Sequence, residues 1–160
     1  MGSGKTTVAR ALAQLLRSEV IDLDSVIALE EGHSPRAIID DDGEPRFREV
    51  ERRALSKVLQ TPGKAVVALG GGTWIFEVNR NVIHEQEATS VWLDAPFELC
   101  WKRILSTAEE RPLARTQAAA LKLFSERSSC YELADLRVAV TEEKSAADIA
   151  NEIAEALADN

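Results

Sequence analysis

Cysteine, histidine and methionine are nearly missing from this 160-residue chain, which has two, two and one of them. Cys100 and Cys130 lie far apart without paired ligand spacing, so neither a disulfide framework nor a zinc site has the residues it needs. A reducing cytosol suits such a chain, and a cytoplasmic location is expected. His33 and His84 have no partner at metal-ligand or general-base spacing; they are expected at the surface and are assigned no chemistry. Positive charge is also short: 19 Lys and Arg stand against 27 Asp and Glu, for a net charge of −8. That balance argues against nucleic acid as a partner, because neutralising a phosphate backbone needs a basic surface. No apolar run is long enough to span a bilayer, and no secretory signal opens the chain, although an incomplete start would hide one. Aromatics make up only 5%. Trp74, Trp92, Trp101 and Phe97 fall in a strand or at helix starts and faces, where core packing is their first reading. Linkers and repeats are lacking too, so residues 1–160 are expected to form one domain, and a monomer.

Against these absences stands one dense motif. Gly2, Ser3, Gly4, Lys5, Thr6 and Thr7 read GSGKTT and run directly into a helical pattern carried by Val8, Leu12, Leu15 and Leu16. Glycines let backbone N–H groups curl around phosphate oxygens, Lys5 supplies a positive charge for the β- and γ-phosphates, and the Thr6 hydroxyl can ligate Mg²⁺. The chain is therefore expected to bind ATP through residues 2–7, with Mg²⁺ as cofactor. The complete pattern G-x-x-x-x-G-K-[ST] asks for a glycine two residues upstream of Met1, preceded by a buried strand. A sheet without its central strand leaves N–H and C=O groups unpaired at about 1–3 kcal/mol each when buried. Total stability is only about 5–15 kcal/mol. The natural chain is accordingly expected to begin earlier, with Met1 an internal methionine, and the intact mass of the native protein decides the matter.

Short apolar runs alternate with amphipathic stretches. Residues 19–22, 65–69, 90–94 and 136–140 read as strands. Phe47, Val50, Ala54 and Val58 mark one face of a helix starting near Glu44, and Ile149, Ile153 and Leu157 mark another near the C-terminus. The order αβαβαβαβ predicts an α/β fold with a parallel sheet covered on both faces and ligands at the carboxyl ends of its strands. The strand before the glycine loop would bring the sheet to five.

Three further groups of residues point to chemistry. Asp22 and Asp24 close the strand after the first helix; on an extended segment they would share a side. One could then hold Mg²⁺ or its waters while the other meets an acceptor hydroxyl, although Asp24 could equally cap the next helix. Gly70, Gly71 and Gly72 follow an apolar strand, where backbone either turns sharply or lines a small polar substrate. Arg48, Arg111 and Arg127 could supply forks for a substrate carboxylate and a transferring phosphate, and the polar, charged stretch about 106–116 suits a lid.

Together these residues resemble the shikimate kinases, small P-loop kinases of the nucleoside-monophosphate-kinase type. The resemblance runs through GSGKTT, Asp22-Leu23-Asp24, Asp42-Gly43-Glu44 leading to Phe47-Arg48 and Glu51, Gly70 to Gly72, Arg111-Pro112-Leu113, and Glu126-Arg127 with Tyr131. It implies a three-layer α/β/α fold with a parallel five-stranded sheet, a substrate-binding region at about 24–59 and the lid. It also implies ATP-dependent phosphorylation of the 3-hydroxyl of shikimate. The implied catalytic residues are Lys5, Asp24 and Arg111, with Gly2 to Thr7 and Arg111 on ATP. Asp24, Arg48, Gly70, Gly71, Gly72 and Arg127 would meet shikimate, and Glu51 would brace the arginines. Thr6 would bind the metal directly and Asp22 through water. Arg103 and the loop 141–145 are the places to look for adenine contacts. The chain departs from the family at Ser129-Cys130, where Pro-Leu is usual, and carries Glu109 and Glu110 beside Arg111. Two alternatives remain open: a gluconate-kinase-like enzyme, and a nucleotide-binding relative without catalysis.

Overall fold

A computed structural model describes residues 2–106 and 116–159. The elements run α1 (Lys5–Leu16), β1 (Glu19–Asp22), α2 (Leu23–Glu31), α3 (Pro35–Asp42), α4 (Glu44–Gln60) and β2 (Ala65–Ala68). A 3₁₀ turn (Thr73–Ile75) and α5 (Glu77–Glu85) follow, then β3 (Val91–Asp94), α6 (Phe97–Ser106), α7 (Gln117–Tyr131), β4 (Leu136–Ala139) and α8 (Ala146–Ala158). These form two compact units, one comprising Arg17–Thr89, the other Met1–Leu16 with Ser90–Asn160.

In the unit Arg17–Thr89, β1 and β2 pair in parallel from Glu19 opposite Ala65 to Asp22 opposite Ala68. A parallel pair needs a long crossover, and three helices supply it. Their packing follows from the sequence. Leu23 and Ile27 of α2, Ile38 of α3, and Phe47, Val50, Ala54 and Leu55 of α4 are all buried in one cluster with Ile83 of α5. Each fully buried aliphatic side chain contributes about 1.5–3 kcal/mol by removal from water. Helix ends are marked by local chemistry: Asp22 caps α2 by accepting from Ser25 N at 3.3 Å, Gly32 closes that helix at φ 72°, and Ser34 ahead of Pro35 caps α3. Across the surface, Glu31 meets Arg46 and Arg53 while Glu30 meets Lys57, tying α2 to α4.

In the other unit, β3 and β4 pair in parallel from Val91 opposite Leu136 to Asp94 opposite Ala139. The ladder extends one residue each way, through Leu136 N to Ser90 O at 3.0 Å and Val140 N to Asp94 O at 2.9 Å. Helix α1 packs on α8. Val8, Ala9, Leu12 and Ala13 are buried on one helix, Ile149, Ala150 and Ile153 on the other. Small alanines permit that close approach. A second cluster joins α6 to α7, with Phe97 and Ala120 buried against Trp101 and Phe124. The C-terminal helix opens with a complete capping box, Ser145 and Asp148 each accepting from the other's backbone N–H.

Several expectations change. Leu15 and Leu16 are 49% and 41% exposed, so the buried stripe of α1 runs through Ala9 and Ala13 instead. Asp22 and Asp24 do not lie on one extended segment: β1 ends at Asp22 and Leu23 already belongs to α2. Asp22, rather than Asp24, is the cap, and side-chain alternation along a strand does not relate the two. The parallel α/β character of the fold is as expected: the four described strands pair in parallel, β1 with β2 and β3 with β4. His33 and His84 are exposed, as expected, and the tryptophans are partly buried.

Candidate active site

The glycine loop enters α1 in the geometry its sequence predicts. Gly2 and Gly4 take φ of 69° and 92°, values that L side chains rarely adopt, with Ser3 buried between them. In general, alternation of this kind can turn successive N–H groups toward one side, the geometry by which backbone receives anions. The helix ladder begins at once, with Val8 N donating to Gly4 O at 2.9 Å. Lys5 and Thr6 therefore occupy the first two positions of α1, where the helix N-terminus favours negative charge. Helix α6 supports the loop from behind. A Cβ on Gly2 would meet the Cys100 carbonyl oxygen at 2.5 Å, and Arg103 Nη1 donates to Ser3 O at 3.3 Å and Gly2 O at 3.5 Å. Arg103, one of the places to look for adenine contacts, thus lies against the glycine loop. Burial pushes the Cys100 thiol up, keeping it neutral, and the Lys5 and Arg103 charges offset only part of that.

In the unit Arg17–Thr89 a second cluster forms around Arg48. Its Nε and Nη2 donate to Glu44 Oε1 at 3.2 and 2.7 Å, and its Nη1 donates to Glu51 Oε2 at 2.9 Å. Glu44 lies four residues before Arg48 and Glu51 three after, so helical periodicity puts all three on one face of α4. The rings of Phe47 and Phe76 lie 5.0 and 5.1 Å from the guanidinium carbon. Burial of Arg48 alone would lower its pKa, but the hydrogen bonds and charges of Glu44 and Glu51 outweigh it and raise the pKa.

The glycines meet this cluster directly. A Cβ on Gly72 would stand 2.7 and 2.8 Å from Arg48 Nη2 and Nη1. On Gly70 it would stand 3.2 Å from both Asp24 Oδ1 and Thr73 Oγ1, and 3.5 Å from Glu51 Oε1. Neither glycine has positive φ. Close approach, not conformational freedom, is what requires them. Asp24, Arg48, Glu51, Gly70 and Gly72 are thus brought together, with Asp24 exposed in the first turn of α2.

Glu51 is only 1% exposed, and besides Arg48 it accepts from the Thr73 hydroxyl at 2.7 Å. Asn79 in turn donates to Thr73 O at 2.9 Å, while its Oδ1 is buried without a hydrogen-bond partner among the described residues. Thr73 and Asn79 escaped the sequence analysis, their partners being fixed by tertiary structure. Glu44 was quoted there but given no role, although its spacing from Arg48 was a readable signal.

Arg127 belongs to the other unit, on α7. Burial raises the Tyr131 pKa, and the charge and hydrogen bond of neighbouring Arg127 work the other way. Tyr131 also packs on Trp92, whose ring lies 6.2 Å away and carries Arg137 at 4.7 Å. Arg111, Glu109, Glu110 and the core of the expected lid fall at 107–115, outside the described residues.

Comparison with known proteins adds a family to this geometry. The model of the shikimate kinase family matches residues 1–158. The chain is 36% identical over 160 residues to the shikimate kinase of a Synechococcus species, covering 98% of this chain and 83% of that protein. It is 38% identical over 154 residues to the enzyme of Persephonella marina, covering 96% and 92%. Among solved structures, shikimate kinase from Acinetobacter baumannii in complex with shikimate superposes with a TM-score of 0.90 at 31% identity, covering 100% of this chain and 89% of that one. That of Aquifex aeolicus gives 0.83 at 32%, covering 99% and 92%.

Proposed function

The chain belongs to the shikimate kinase family, and from that premise we propose that it transfers the γ-phosphoryl group of ATP to the 3-hydroxyl of shikimate. The observation that carries the reading is Arg48, held as a charged fork between Glu44 and Glu51 and set against Gly72, with Asp24 beside Gly70. A guanidinium of this kind reads a carboxylate bidentately, and a nearby carboxylate can take a proton from a hydroxyl. Asp24 is assigned to orient and deprotonate the acceptor hydroxyl, Arg48 and Arg127 to grip the shikimate carboxylate, and Gly70 to Gly72 to face the ring hydroxyls. Gly2 to Thr7 cradle the ATP phosphates, Lys5 stabilises charge on the transferring group, and Arg111 of the lid joins it. The whole chain acts as one kinase domain, with the substrate-binding region at about 24–59 and the lid at about 106–116.

A magnesium ion fits the donor set. The Thr6 hydroxyl and the Asp22 carboxylate are hard oxygen donors, and Mg²⁺ in kinase sites is held mostly by phosphates and water with one or two protein oxygens. Its capping bond to Ser25 N occupies Asp22 Oδ1, which suits a carboxylate that reaches the metal through water. Held there, a magnesium ion would supply neutralisation of negative charge on the ATP phosphates. No helix among the described residues is long and apolar enough to cross a membrane. A monomer in the cytoplasm, acting on small molecules without nucleic acid, completes the proposal.

A coupled ADP-release assay on shikimate, quinate and gluconate tests it. Turnover with shikimate is expected; turnover with gluconate alone would reassign the substrate, and none at all would remove catalysis. Asp24→Asn is expected to lower kcat by about 10²–10⁴-fold, the range of general-base catalysis, while ATP affinity stays within about twofold. Retained turnover would take Asp24 out of the mechanism.

A further inference from the structure

We propose that Glu44 is a displaceable counter-ion that occupies the fork of Arg48 until the carboxylate of the substrate takes its place. The inference deepens the reading of Arg48 given above and rests on it. Arg48 has five N–H donors in a rigid plane. The Nε and Nη2 pair, one of its bidentate edges, converges on a single oxygen of Glu44, and Nη1 serves Glu51. One cation thus faces two carboxylates. A third, brought by a substrate, would find the donors of the fork already taken unless one of the residents withdrew.

The two residents differ in their freedom to leave. Glu51 is 1% exposed and also held by the Thr73 hydroxyl, so its departure would strand a buried charge. Glu44 is 48% exposed and is the first residue of α4, directly after Gly43 at φ 87°. Released into water, its carboxylate keeps the favourable field of the helix N-terminus. Arg48 does not follow it out, because Glu51, Phe47 and Phe76 remain in place around the guanidinium. Glu44 therefore keeps the fork aligned in the free protein and competes for it with the carboxylate of a ligand. A neutral ligand has no charge to exchange for the ion pair and leaves Glu44 in place.

Isothermal titration of shikimate into the protein and into Glu44→Gln tests the exchange. The variant is expected to bind shikimate about 3- to 10-fold more tightly, the scale of one partly exposed charge. KM should fall by the same factor while kcat moves less than twofold. Shikimate methyl ester, which brings no charge, should gain nothing. Equal or weaker shikimate binding by a variant that melts like the parent overturns the proposal, as does an equal gain for the ester. A second readout is independent of turnover: the Arg48 Nε–H resonance in ¹⁵N spectra should shift in Glu44→Gln, and a resonance that stays in place also overturns it. Failure of the unsubstituted protein to use shikimate would count against the substrate assignment, and the resonance would still decide whether Glu44 holds the fork.

Discussion

Around Gly2 and Gly4, in one unit, the loop assigned to the ATP phosphates is built of backbone. It turns on two left-handed glycines, and its support is a helix backbone, the Cys100 carbonyl, with one arginine on the loop's own carbonyls. Around Arg48 the other unit presents side chains: a guanidinium, two carboxylates, a threonine hydroxyl and an asparagine amide linked in sequence. Under the proposed function the first arrangement meets a polyphosphate with backbone and tolerates little steric change. The second meets a carboxylate with a network of paired side chains. Two such arrangements should fail differently.

The largest difference should appear at Glu51. Replacing it by Ala leaves Arg48 part-buried with one exposed partner and orphans the Thr73 hydroxyl, so stability should fall by about 3–5 kcal/mol. Thr73→Val removes one neutral donor from the same carboxylate and should cost about 1–2 kcal/mol. Urea unfolding of both measures the gap. Equal losses would mean that the network does not depend on its charge pair.

Next come the glycines. Gly2→Ala puts a methyl into the Cys100 carbonyl at a φ of 69°, and the left-handed strain alone costs about 1–2 kcal/mol. ATP affinity should drop about tenfold or more, with shikimate binding little changed. Gly72→Ala drives a methyl into the Arg48 guanidinium and should do the reverse, raising the shikimate KM. Titration of each ligand into each variant separates them; a variant that loses both ligands alike would erase the distinction drawn here.

The smallest effect belongs to the capping box of α8. Hydrogen bonds from the Ser145 hydroxyl and backbone hold the exposed Asp148 carboxylate below its ordinary value of 3.8. A depressed folded-state pKa means that the contribution is fully present above that ordinary value and is lost as pH falls through the lower, folded one. Thermal melts from pH 5 down to pH 2.5 should show Asp148→Asn converging with the parent protein at the acid end. A difference that persists there would assign the cap to something other than charge.

The sequence made some of this plain and hid the rest for identifiable reasons. The turn of the glycine loop into α1 was readable because backbone geometry dictates the residues that can adopt it: glycine where φ is positive, lysine and threonine at the helix start. Arg48 and Glu51 were readable because a helix brings residues three apart together. The glycines at 70 to 72 were noticed, but whether they served turning or approach needed the position of Arg48 and Asp24. Which of Asp22 and Asp24 caps α2 was not readable, because both are good caps and the strand becomes helix between them, at Leu23. Thr73 bonds a residue 22 positions earlier, and local pattern carries no trace of such a pairing. Leu15 and Leu16 fit the helical period, yet alanines cover the buried face because α1 lies close to α8.

The most direct test is the ratio of kcat/KM for shikimate to that for its methyl ester, measured by ADP release in the protein and in Arg48→Met. The account predicts a preference for the acid of about 10- to 100-fold, the scale of charged hydrogen bonds, and its sharp fall in the variant, where Arg127 alone is left to meet the carboxylate. An undiminished preference in Arg48→Met, or equal rates for acid and ester in the unsubstituted protein, would contradict it.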